Sequence, residues 1–134
     1  MTDTLRAASD RLSTEPIGWL TTVSRSGQPQ ASPIWFLWHD DHIWLRSQAA
    51  AGKVANVRAN PKVAFHLDDD GSGGDVVTVE GTAEFVEEFP APVMDAYREK
   101  YGKAIEQLLH STPEKLAADY PISIRITPRR ARAW

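Results

Sequence analysis

Apolar and polar positions along this chain fall into short runs that change period several times. Near the start, Leu5, Ala8 and Leu12 recur at helical spacing and predict a helix over Thr4–Leu12, ended by Glu15-Pro16. Ile17–Val23 (IGWLTTV) reads as a strand. Ser24–Pro29 is a turn in which Gly27 is free to take positive φ. Gln30–Trp38 (QASPIWFLW) is a second strand, so the pair predicts a β-hairpin with a loop of several residues. His39-Asp40-Asp41 turns the chain into a third strand, His42–Ser47. Ala49–Arg58 predicts a helix closed by Asn60-Pro61. Lys62–Leu67 and Val76–Val86 are further strands, separated by the polar loop Asp68–Asp75, with Gly81 placed at a bulge. Pro92–Leu109 is a longer helix carrying Val93, Tyr97, Tyr101, Ile105 and Leu108 on one side. Ser111-Thr112-Pro113-Glu114 has a hydroxyl cap, an early proline and a glutamate suited to a capping box. Pro121–Thr127 alternates as a last strand, followed by a short basic tail, Pro128–Trp134.

The second strand departs from simple amphipathicity. Pro33, Trp35 and Leu37 share one face, and Ile34, Phe36 and Trp38 share the other. A sheet with one wet face would alternate apolar with polar residues. Apolar residues on both faces need cover on both: a barrel interior on one side, and a helix, partner subunit or ring ligand on the other. The pattern predicts a mainly β chain with flanking helices, one domain over 1–134, closed as a barrel that forms a homodimer.

Composition narrows the chemistry. At 134 residues the chain suits one core. It has no cysteine, which excludes disulfides, thiolate metal sites and cysteine nucleophiles and fits a cytoplasmic location. The N-terminal stretch lacks the basic start and apolar run of a secretory signal, and no apolar stretch could span a bilayer as a helix. A net charge of -3 offers no global attraction to nucleic acid or anionic membranes. Five tryptophans supply flat apolar surface, which lines ring-binding pockets as readily as cores.

The richest run is Leu45–Pro61 (LRSQAAAGKVANVRANP), in which a strand ends at Arg46-Ser47 and a helix starts near Lys53. Unpaired N–H groups at a helix start favour an anion, Ser47 adds a hydroxyl donor, and Arg46 and Lys53 add charge. The same spacing fits an ordinary strand–helix turn with solvated cations. Elsewhere, His39-Asp40-Asp41-His42 packs ligand-type residues into a tight turn without a clear third and fourth metal ligand. Asp68–Asp75 fails as a calcium loop because the bidentate glutamate is absent. No nucleophile motif frames any serine. No metal site and no dedicated catalytic side chain is expected.

The segments WLTTVSRSGQPQASPIWFLW, LRSQAAAGKVANVRANPKVAF, VTVEGTAEF and IRITPRRARAW resemble the pyridoxamine 5′-phosphate oxidase-like (FMN-binding) split β-barrel superfamily. Within it, SPIWFLW and the Gly-Lys with Asn-Pro beyond it are most similar to the actinobacterial branch that uses coenzyme F420, a 5-deazaflavin. The resemblance implies phosphate contacts at Ser47 and Lys53, with Arg46 and Gly52 beside them. It implies a flavin-type ring against Pro33, Ile34, Trp35 and Phe36 at the dimer interface, with Trp134 and the C-terminal arginines reaching the same pocket. The oxidases carry Arg-Lys where this chain has Gly52-Lys53, and a basic residue early in strand two where it has Ser32-Pro33. Those departures argue against a pyridoxamine phosphate oxidase proper. The implied activity is hydride transfer from reduced F420 to a small conjugated acceptor. The alternatives are an FMN flavoprotein of the same fold, and a module that binds a flavin or haem without turnover.

Overall fold

The structure, a computed structural model, describes residues 2–134. Its strands are β1 (Gly18–Val23), β2 (Pro29–Ile34), β3 (Leu37–His39), β4 (His42–Ser47), β5 (Lys62–His66), β6 (Val77–Val86) and β7 (Ile122–Ala133). The helices are α1 (Thr2–Ala7), α2 (Ser9–Thr14), α3 (Gly52–Ala59), α4 (Ala91–Leu109) and α5 (Pro113–Asp119). All seven strands form one antiparallel sheet in the order β2-β1-β5-β6-β7-β4-β3.

That order makes the sheet curl. Its two edges, β2 and β3, are consecutive in sequence and separated only by Trp35 and Phe36. Three Cα steps reach about 11 Å at most, so the edges meet at this corner and the sheet closes as a split β-barrel with flanking helices. The continuous strand expected over Gln30–Trp38 is therefore two strands. Its first half pairs with β1, from Val23↔Pro29 to Gly18↔Ile34, and its second half pairs with β4. One straight strand cannot serve both edges, so the break falls between them.

The barrel interior is apolar, built from Leu20, Ile34, Phe36, Ile43, Leu45, Phe65, Val79, Ile124 and Ile126 among others. Leu5 and Leu12 complete it. The single N-terminal helix expected over Thr4–Leu12 is broken at Ala8 (φ -96°, ψ 7°), and all three of its predicted apolar residues are buried. A second cluster lies outside the barrel, where α4 covers β3 and β4: Leu37, Trp44, Phe89, Val93, Tyr97, Tyr101, Ile105 and Leu116. The two-faced character of strand two is thus met partly within the chain. Ile34 and Phe36 face the interior; Trp35 and Leu37 pack under α4.

Three other expectations change. The helix expected from Ala49 starts at Gly52, with Ala51 at the cap making no side-chain bond; alanines offer no oxygen with which to begin it earlier. The cap of α5 is Thr112, which accepts from Lys115 N at 3.1 Å, so Glu114 lies one position short of a capping box and pairs with Arg98 instead. The basic tail continues the last strand: β7 runs to Ala133 and pairs with β6 beyond the register shift at Glu80/Gly81, the bulge expected at Gly81.

Candidate functional site

The end of β2, the end of β4 and the start of α3 converge below α4 and α5. Between them lies an open cleft of about 310 Å³. Pro33, Ile34, Trp35, Arg46 and Lys53 line its strand side; Tyr97, Leu109 and Tyr120 line its helix side. Five residues singled out from sequence therefore meet in one place. Gly52 lies just beyond, lining with Lys53 a polar hollow that also holds Gln30, Ser32 and Asn56. A side chain at Gly52 would meet nothing within 4 Å, so this helix start is open.

The remaining predicted residues sit elsewhere. Phe36 is fully buried in the barrel, edge-on to Phe65 at 4.9 Å, and faces away from the cleft. Ser47 is buried, its hydroxyl donating to Gln48 O at 3.2 Å. Trp134 is exposed at the Asp68–Asp75 loop, where its Nε1 donates to Gly73 O at 3.2 Å, outside its own chain's cleft lining.

Both cations of the cleft lack an ion pair among the described residues. The Arg46 guanidinium lies 4.1 Å from the Phe89 ring centroid and makes long contacts of 3.4 Å to Ser123 Oγ and Met94 Sδ. Its Nε is buried with no partner. Burial lowers the pKa of Arg46 and of Lys53; Tyr97 and Glu88 offset part of that cost at Arg46, and burial alone acts on Lys53. Tyr97 is 3% exposed, and burial pushes it up to about 12, so its hydroxyl stays protonated. The wall is braced from behind: the Trp35 ring stacks on Tyr101 at 4.6 Å with an interplanar angle of 4°.

A flat aromatic wall, two unpaired cations, and no carboxylate in the lining suit a planar ligand carrying negative charge. Sequence reasoning missed Tyr97, Leu109 and Tyr120. Tyr97 belongs to the apolar stripe of α4, where its ring looked like core and its hydroxyl was the one available sign. Leu109 ends α4 and Tyr120 caps the far end of α5, and only the docking of α5 on α4 brings them to one cleft.

The sequence matches the pyridoxamine 5′-phosphate oxidase family over residues 4–134. The chain belongs to that family. Among solved structures it is similar to the conserved hypothetical protein Rv2991 from Mycobacterium tuberculosis, at 28% identity and TM-score 0.77, covering 96% of this chain and 82% of that one. It is similar to an F420 reductase at 25% identity and TM-score 0.72, covering 92% and 94%. Likeness to HutZ, the haem storage protein from Vibrio cholerae, shows the fold alone: 18% identity, TM-score 0.72, coverage 97% and 94%. No curated protein matches the sequence. The family assignment agrees with the split barrel and with the resemblance read from the motifs. No helix among the described residues is long and apolar enough to cross a membrane.

Proposed function

We propose that this protein is an F420-dependent reductase whose cofactor occupies the Trp35–Lys53 cleft. The observation that carries the reading is the pair of unpaired, half-buried cations, Arg46 and Lys53, beside the braced indole of Trp35. An open helix start at Gly52 and an orphaned Arg46 Nε fit a phosphate-bearing ligand there. F420 is preferred over FMN for two reasons: the likeness to an F420 reductase, and the absence at Gly52 of the second cation that the oxidase pattern carries.

The residues then have separable tasks. Lys53 and Arg46 hold the phosphate end. Trp35 and Pro33 would position the ring, and Leu109 and Tyr120 would shield it from water. A reduced deazaflavin held there supplies a hydride to a small conjugated acceptor. The reading includes a homodimer, in which the partner's surface completes the pocket, and a cytoplasmic location.

The test is equilibrium titration of the purified protein with F420 and with FMN, followed by reoxidation of reduced F420 with a panel of quinones and unsaturated ketones. Tighter F420 binding with turnover of an acceptor supports the reading. Stoichiometric FMN carried through purification would replace it with the flavoprotein reading. Saturable binding without turnover of any acceptor would replace it with a non-catalytic module.

A further inference from the structure

The corner where β2 becomes β3 has no sheet partner. Buried backbone groups at such a corner need partners elsewhere, and here one helix supplies them. Phe36 N donates to Tyr101 Oη at 2.9 Å, and Phe36 O accepts from Tyr101 Oη at 2.8 Å and from Lys100 Nζ at 2.9 Å. Tyr101 Oη also lies 2.7 Å from Pro16 O. A hydroxyl has one hydrogen, so it serves Pro16 O or Phe36 O, not both at once. Lys100 resolves the competition: it satisfies Phe36 O, which leaves the Tyr101 hydrogen for Pro16 O. The ammonium lies 3.7 Å from the Phe36 ring centroid, a further hold on the same residue.

The next residue back along the chain is Trp35, whose indole stacks on the ring of Tyr101 and lines the cleft. One tyrosine therefore fixes the corner's backbone with its oxygen and the orientation of the cleft wall with its ring. We propose that Tyr101 and Lys100 are positioning residues for the ring site, locking the Trp35–Phe36 corner so that the indole meets a planar cofactor already ordered. The inference rests on the placement of the ring against Trp35. Neither residue lines the cleft. Their contribution is to order the wall before binding, so that the ligand does not bear that entropy cost.

Tyr101→Phe keeps the stacking ring and removes only the hydroxyl. Binding of F420 and of FMN is measured well below the melting temperature, alongside hydrogen exchange at the Phe36 amide. Ile105→Val, one turn along α4 and fully buried, is the control that lowers stability without touching the corner. Tyr101→Phe is expected to exchange the Phe36 amide faster and to bind about three- to tenfold more weakly, the cost of ordering one side chain on binding. Ile105→Val is expected to bind like the parent. Lys100→Met, partly exposed, gives a second reading if Tyr101→Phe does not fold, with an expected loss of about twofold. Parent-like affinity in Tyr101→Phe or, failing its folding, in Lys100→Met would overturn the positioning role while leaving the ring site standing. Equal loss in Ile105→Val would overturn it as well. A parent that binds neither cofactor would remove the ring site and this role together.

Discussion

Replacing Lys53 by alanine should move stability and binding in opposite directions. Lys53 is the second residue of α3, a place where a cation opposes the positive end of the helix dipole. It is half-buried, without an ion pair, and burial already lowers its pKa. Alanine removes that charge and is the better helix former. The ligand-free variant should therefore gain about 0.3–1 kcal/mol, which raises Tm by a few degrees at most. With cofactor the sign reverses. A charge-assisted hydrogen bond to phosphate contributes about 1.5–3 kcal/mol, so Kd should rise roughly ten- to hundredfold, at about 1.4 kcal/mol per decade. Lys62→Ala is the matched control: Lys62 is exposed at the start of β5 and lines a groove on the barrel's outer surface instead. Three melting curves and three cofactor titrations suffice. Parent-like affinity in Lys53→Ala, or equal losses in both variants, would refute the phosphate site. A Tm drop in ligand-free Lys53→Ala would show that the lysine serves the fold.

Further outcomes follow from particular contacts. At Gly81 an added Cβ would lie 2.7 Å from Thr127 O and 2.9 Å from Ile126 Cγ2, so Gly81→Ala should cost about 1–3 kcal/mol by denaturant midpoint, as overpacking does; a neutral result would mean the bulge is looser than drawn. Burial lowers Lys100 to about 8 from 10.5. Between those values the unfolded chain binds the proton and the folded chain does not, so this group adds stability as pH rises through the window. Solvent screening of the partly exposed side chain holds the gain to the order of 1 kcal/mol. Lys100→Met should flatten that rise in urea midpoints between about pH 8 and about pH 10.5, and an unchanged slope would contradict the lowered pKa. Light scattering at micromolar concentration should give twice the chain mass, and a monomer would remove the partner-completed pocket.

Local pattern carried much of this fold. Turn chemistry at Gly27, the bulge at Gly81 and the α4 stripe from Val93 to Ile105 were legible because each rests on near neighbours in sequence, whereas Leu108, read as part of that stripe, is exposed. What was not legible depended on closure. Nothing local in QASPIWFLW says that its halves belong to opposite sheet edges; that follows only once the seven-strand order is known. The same holds for Pro128–Trp134, whose arginines and single proline read as a tail. Register with β6 makes it strand, placing Arg130 3.9 Å from Glu80 and Arg129 Nε 3.1 Å from Thr82 Oγ1. In the site, Arg46 and Lys53 were singled out because they flank a strand–helix turn, and the fold brings both to one cleft. Phe36 was assigned to the wall with Trp35, but adjacent residues on extended chain point opposite ways, and the interior claimed it. Tyr101 was legible only as a core ring; its three backbone partners, at Phe36 N, Phe36 O and Pro16 O, lie at least 65 residues away.

The central claim is that the Trp35–Lys53 cleft holds a phosphate-bearing deazaflavin. A crystal structure of the protein with F420 tests it most directly. The ring is expected to lie against the Trp35 indole, with a phosphate oxygen within hydrogen-bond distance of Lys53 Nζ and Arg46 beside it. F420 seated elsewhere, such as in the outer groove between Thr21 and Arg129, or a phosphate that leaves Lys53 and Arg46 untouched, would contradict it.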